Sequence, residues 1–204
     1  MSRAALSHPR VFTDPEFAGD YARRHERMAQ NLGARYAKRL AQMGFQRGAI
    51  LDAGCGFGGV VMSLEQAFPD AQVVGTDLSE PLLERARVFA QAAGLTDRVR
   101  FELADVEQLP FTDGEFDVVI NTNMVHIVEQ PVQMLNEMDR VLAADGCLFI
   151  ADIRRSWVGL VEKVFRSGLS VEEARDLIGR SGIRPGVLTS DLLWWRYEAL
   201  PQES

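Results

Sequence analysis

From residue 49 onward the chain repeats one pattern: a short apolar run, then a longer stretch with apolar positions three and four apart. The short runs are AILDA (49–53), QVVGT (72–76), VRFEL (99–103), FDVVIN (116–121) and CLFIAD (147–152). Between them, about 58–68, 80–92 and 131–142 have helical spacing. Short apolar strands alternating with helices predict a mostly parallel sheet covered on both faces. FPDA and AADG read as turns in that series.

The last part of the chain departs from the pattern. Ser170 and Glu173 make a capping box ahead of ARDLIGRSG, with Gly182 as the stop. IRPGVLTS and DLLWWRYEAL read as two final strands, and the short TSD link makes them antiparallel neighbours. Trp194 and Trp195 then face opposite sides of the last strand, each as a packing residue.

Ahead of the first strand, residues 14–43 read as helix, with Thr13 and Glu16 capping the start and Pro15 in the first turn. Tyr21, His25, Met28, Leu32, Tyr36 and Leu40 share one face, which should pack onto the body. Residues 1–47 are therefore expected to form a helical cap on a single domain whose body is 48–204.

A chain of 204 residues, 47% hydrophobic, suffices for one substantial core and would be cramped for two. No run approaches a membrane-spanning length, so stable membrane insertion is not expected. MSRAALSHPR lacks the apolar core of a signal peptide, and the expected location is cytoplasmic. Cys55 and Cys147 are too few for a disulfide framework or a metal cluster and read as reduced, buried thiols; no metal site is expected. The net charge of −7 divides into +5 over residues 1–47 and −12 over the rest. The acidic bulk argues against a non-specific nucleic-acid binder. The basic front end either faces an anionic substrate or is a solvated face neutralised by the acidic body. A homodimer stays open.

ILDAGCGFGG (50–59) holds four glycines within six residues, between a strand and a helix. Glycines tighten such a turn and let a ligand lie against backbone, and the amides that open the helix favour an anionic group. Asp77 closes the second strand, where a carboxylate can accept both hydroxyls of a ribose. Gly54, Gly56 and Gly59 satisfy the G-x-G-x-x-G register of a nicotinamide enzyme. Asp52 counts against that reading. A carboxylate at the strand end serves a diphosphate poorly and a sulfonium or ammonium well.

LDAGCGFGG followed by VVGTDLS resembles the first two motifs of class I S-adenosylmethionine-dependent methyltransferases. ELADVEQLPFTDGEFDVVINTNMVHIVEQP resembles their third and fourth motifs, and MLNEMDRVLAADGCLFIADI the helix and fifth strand that follow. The nearest flavour is the type 11 small-molecule branch, which includes quinone C-methyltransferases. This resemblance implies a Rossmann-like α/β fold: a seven-stranded, mostly parallel sheet with an antiparallel C-terminal strand and helices on both faces. It implies S-adenosylmethionine as cofactor and a small-molecule substrate. It further implies that Asp52, Gly54 and Gly56 shape the pocket at the methionine end of the cofactor and Asp77 holds the ribose. Leu78 would pack on the adenine, Asp105 bind its amino group, and Val106 pack nearby. Asn121 and the residues after it would floor the site, and Tyr21 would close over the methionine part.

Methyl transfer is an in-line displacement, in which the protein must position the acceptor and exclude water. A base is needed only where the acceptor arrives protonated. His126 is the candidate base, with a pocket-wall role and a structural hydrogen bond as the alternatives. His25, on the helical stripe, is a candidate for reaching the substrate. IRRSWVGLVEKVFRSGLS (153–170) reads as a lid that suits a partly apolar substrate and admits an anionic one, with Arg154, Arg155 and Trp157 as substrate candidates. The rival functions are a nicotinamide-dependent oxidoreductase and a non-catalytic S-adenosylmethionine-binding protein.

Overall fold

A computed structural model of the chain describes residues 12–156 and 163–201. It contains α1 (Pro15–Gln42), β1 (Ala49–Ala53), α2 (Gly59–Ala67), β2 (Gln72–Asp77), α3 (Glu80–Ala92), β3 (Val99–Leu103) and β4 (Phe116–Thr122). α4 (Pro131–Val141), β5 (Leu142–Ile153), a 3-10 turn (Lys163–Arg166), α5 (Val171–Arg180), β6 (Val187–Ser190) and β7 (Trp194–Ala199) follow. The strands form one seven-stranded sheet in the order β3-β2-β1-β4-β5-β7-β6. β1 to β5 are mutually parallel, and β7 runs antiparallel to both β5 and β6. The expected mixed sheet with an antiparallel C-terminal strand is present.

Strand alternation builds two cores. Ile50, Val73, Val118, Ile120 and Phe149 point to the face covered by α1, α2 and α3, where they meet Leu40, Leu64 and Leu83. Leu51, Val74, Val119, Leu148 and Ile150 point to the face covered by α4 and α5, where they meet Met134, Met138, Ala174 and Leu177. Trp195 is fully buried on that second face. α1 lies close on α2: a side chain at Gly33 would collide with Ser63, and a Cβ at Gly59 would come within 2.6 Å of Ala29.

Two local features correct the sequence reading. The α1 cap is Asp14, not Thr13: its carboxylate accepts the backbone N–H of Glu16 at 2.8 Å and of Phe17 at 2.9 Å. A carboxylate there also meets the positive end of the helix dipole, which a threonine hydroxyl cannot do. AADG is not a turn between elements but a bulge inside β5, where register slips between the Phe116–Leu142 and Val118–Cys147 pairs. Arg184 makes the bulge tolerable. Its guanidinium is held by Asp139 at 2.7 Å and donates to the carbonyl of Ala143 at 2.8 Å. The Ser170–Glu173 capping box of α5 is formed as expected.

Candidate active site

A cavity of about 900 Å³ opens at the carboxyl ends of β1, β2 and β4 and beneath the first half of α1. This is where the strand order of a parallel sheet reverses and ligands bind. β1 sits between β2 and β4, so the loops after these strands diverge and leave a crevice.

The glycine stretch forms one wall. Gly54, Gly56 and Gly58 have φ of +83°, +55° and +78°, the left-handed region that other residues avoid. The three do different work. A side chain at Gly54 would collide with Met124 across the cavity, and a Cβ at Gly58 would lie 2.9 Å from the Phe101 ring. At Gly56 a Cβ would meet nothing closer than 3.9 Å, so that peptide faces open space.

Two carboxylates stand behind this turn. Asp77 accepts the backbone N–H of Gly56 through Oδ2 and of Ser79 through Oδ1, each at 2.9 Å. Burial nevertheless holds its pKa above the usual carboxylate value. Asp52 is 1% exposed and Oδ1 has no hydrogen-bond partner. Burial first, and then the nearby Asp77, push its pKa up to about 7. A buried acid with an unpartnered oxygen on a cavity wall is costly, and a cationic ligand would relieve it.

The other sequence-predicted residues divide. Leu78 is on the wall and 46% exposed, so it is not a core residue. Val106 lines the cavity and is also buried in the core beneath it. Asp105 is exposed on the wall, and its Oδ1 accepts the backbone N–H of Glu107 at 2.9 Å. Tyr21 lines the cavity against Phe12, with His25 stacked on it at 4.1 Å between centroids. Burial, then the charge on Asp77, raises the Tyr21 pKa. His25 is on the wall, its Nδ1 2.8 Å from the Tyr21 carbonyl. The α1 stripe thus splits: Tyr21, His25, Met28 and Leu32 line the cavity, while Tyr36 and Leu40 enter the core.

Asn121 does not join them. It is fully buried, and its amide nitrogen donates to the Ala53 carbonyl at 2.6 Å, tying β4 to β1. Thr122, Asn123 and Met124, just after it, line the cavity instead, with Asn123 at φ +61°. Nor do Arg154 and Arg155 reach it. Arg154 donates to the Asp191 carbonyl at 2.6 Å, and Arg155 pairs with Glu173 of the α5 capping box. Both make contacts that fix the chain after β5. Trp157 lies outside the described residues.

His126 is on the cavity wall and 4% exposed. Its Nδ1 lies 2.7 Å from Asp152 Oδ1, and its backbone N–H donates to Asp152 Oδ2 at 2.8 Å. The Ile153 N–H also donates to Asp152 Oδ1, at 2.6 Å. Two backbone N–H groups, of His126 and Ile153, already point at the Asp152 carboxylate, which can only accept, so the neutral imidazole is assigned its proton on Nδ1 and its lone pair on Nε2. Sequence reasoning missed Asp152. The available signal was an acid at the carboxyl end of a central strand, where a core strand has no other use for one. Glu107 is a second miss: its Oε1 accepts the N–H groups of Glu129 and Gln130 at 2.8 and 2.9 Å, capping the entry to α4 on the wall.

Among the described residues no group of three or more His, Cys, Asp or Glu could hold a metal ion, and no helix is long and apolar enough to cross a membrane. Cys55 lines the cavity, but burial, reinforced by Asp52 and Asp77, holds its thiol well above the usual pKa.

Residues 51–150 match a family model described as a methyltransferase domain. The chain is 28% identical over 194 residues to malonyl-[acyl-carrier protein] O-methyltransferase of Legionella pneumophila, covering 91% of this chain and 67% of the relative. It is 35% identical over 136 residues to demethylmenaquinone methyltransferase of Thermus thermophilus, covering 64% and 61%. The chain thus spans about two thirds or less of the length of these curated relatives. Its fold is similar to the crystal structure of a candidate S-adenosyl-L-methionine-dependent methyltransferase from Methanococcus maripaludis, with a TM-score of 0.79 at 18% identity over 98% of this chain and 99% of the other.

Proposed function

The chain belongs to the class I S-adenosylmethionine-dependent methyltransferases, and from that premise we propose that it methylates a hydroxyl or amine group on a small metabolite. Asp52 is the observation that carries the cofactor assignment. Its buried, unpartnered Oδ1 suits the α-ammonium of S-adenosylmethionine. A dinucleotide would instead bring its diphosphate toward Asp52 and Asp77.

The remaining wall fits the rest of that cofactor. Asp77 is held rigid by two backbone amides and would accept the ribose hydroxyls. Exposed Leu78 would cover one adenine face, with Val106 beneath it, and the exposed Asp105 carboxylate would take the amino group. Tyr21, braced by Phe12 and His25, would close over the methionine part from α1. Of the expected 1–47 cap, the described residues from 12 onward would cover the cavity in this reading. Bound S-adenosylmethionine supplies an electrophilic methyl group on sulfonium.

His126 would take the proton that the acceptor loses, at Nε2, and Asp152 would stabilise the resulting imidazolium. This arrangement supports an acceptor that arrives with its proton. The Legionella relative is named for transfer to oxygen, in line with that choice. The apolar side of the cavity, from Phe12, Phe17, Met28, Met124, Phe165 and Trp194, supports a partly apolar acceptor. Arg154 and Arg155, tied up elsewhere, lend no support to an anionic one.

Titration calorimetry with S-adenosylmethionine, S-adenosylhomocysteine and NADH tests the reading. Micromolar binding of the first two and none of NADH is the expected result. Binding of NADH alone would overturn it, and binding without transfer to any hydroxyl or amine acceptor in a metabolite screen would favour a binding protein.

A further inference from the structure

A second cleft, of about 330 Å³, lies behind the first one. Its rim is Arg35, Lys38, Arg39 and Gln42 of α1, together with Arg196 and Glu198 of β7; its floor is Phe149, Ile150 and Ala151 of β5. The sequence places these residues together by two periodicities. Positions 35, 38, 39 and 42 share one face of α1, and alternate residues 196 and 198 point away from the core that buries Trp195 and Tyr197.

Four cations face one carboxylate here, in a chain whose net charge is −7. Arg39 is paired with Glu198 at 3.1 Å and Arg196 with Asp191 at 2.7 Å. The side chains of Arg35 and Lys38 have no ion-pair or hydrogen-bond partner among the described residues. With Arg39 and Arg196 paired, Arg35 and Lys38 leave uncompensated positive charge on the rim, and a low-dielectric floor strengthens the field that draws an anion in. We propose that this cleft is an anion site, separate from the cofactor cavity, that takes a phosphate-bearing small molecule. Guanidinium groups match phosphate oxygens in pairs, and the volume admits a small phosphorylated metabolite.

The site is wired to the cavity in front of it. Leu32 belongs to both walls. Tyr36, on the cleft wall, has its hydroxyl 3.1 Å from Thr122 Oγ1, and Thr122 lines the cavity. An anion seated against Tyr36 is therefore felt at Thr122, beside the acceptor end of the site. Arg35, Lys38 and Arg39 of the basic front end would thus serve this cleft rather than the methyl acceptor.

The test uses pyrophosphate and the full chain without cofactor, so it does not depend on the methyltransferase reading. Titration at low salt, followed by calorimetry and by amide chemical shifts, should show saturable binding with shifts at Tyr36 and Thr122. Arg35→Ala/Lys38→Ala, two exposed positions, should weaken binding at least tenfold with an unchanged circular dichroism spectrum. Glu198→Gln should tighten it several-fold, and Tyr36→Phe should bind but leave Thr122 unmoved. Non-saturating shifts spread along α1, or equal affinity in the double variant, would overturn the site. Citrate binding as tightly as pyrophosphate would overturn the phosphate assignment. A Thr122 amide that does not respond in the wild type would overturn the coupling.

Discussion

Asp152 holds His126 at two points, accepting its backbone N–H at 2.8 Å and facing its Nδ1 at 2.7 Å. The two residues are 26 apart in sequence: His126 lies in the turn that follows β4, and Asp152 near the end of the neighbouring β5. One contact fixes where the histidine is; the other fixes which ring nitrogen is basic.

Asp152→Asn is expected to keep the fold and lower kcat about 100-fold with little change in KM, because an amide no longer favours the Nδ1–H tautomer. His126→Ala should lose as much and should also remove the acid limb of the kcat profile, where protonation silences the base. Asp152→Ala should in addition cost about 1–3 kcal/mol of stability, since buried N–H donors lose their acceptor. An acid limb that persists unchanged in His126→Ala would exclude this residue as the base.

Asp52 sets the pH dependence of cofactor binding. Burial, and then the nearby Asp77, push its pKa up to about 7, so it changes charge near neutral pH. An ammonium ligand binds the ionised form, so affinity should rise between pH 6 and 8, with proton release measurable by calorimetry in two buffers. Affinity flat across that range would refute the assignment.

The same group affects stability with the opposite sense. A folded-state pKa raised from 3.8 to about 7 means that the folded chain holds a proton the unfolded chain has lost. Stability from this site is therefore full below pH 4 and declines toward pH 7, by up to about 1.4 kcal/mol per pH unit. Asp52→Asn should flatten that slope in the free protein and abolish cofactor-induced stabilisation. Melting curves at pH 5 and pH 8 decide it.

Asp77→Ala should weaken S-adenosylmethionine binding at least tenfold, about 1.4 kcal/mol. It should lower the melting temperature as well, because the N–H groups of Gly56 and Ser79 lose their acceptor. Unchanged affinity in the folded variant would remove Asp77 from the ribose.

Gly54→Ala should abolish cofactor binding while the protein still folds. A side chain at φ +83° is strained, and it would push Met124 across the cavity. Gly94→Ala, with φ +71° but open surroundings, is the control: it should share the backbone cost and keep the affinity.

Much of this protein was legible in order along the chain. The strands showed because apolar alternation survives without knowing the partner strand. Residues 49–53 and 99–103 were bounded as they fold, and so was the helix at 80–92. The glycine turn and the acids at the ends of β1 and β2 showed because a strand end next to a helix start already implies a crevice. Local chemistry such as the α5 capping box needs only four residues. What the sequence alone left undetermined depended on which strands became neighbours. Asp152 found His126 only because β5 pairs with β4. Asn121 left the cavity for the core because β1 offered it the Ala53 carbonyl. Arg154 and Arg155 turned from the cavity because the β6–β7 link and α5 supplied closer acceptors. The α1 stripe, uniform in sequence, divided into wall and core where the sheet beneath it ended. Periodicity assigns a residue to a face; only the packed neighbour across that face decides whether it meets protein or ligand.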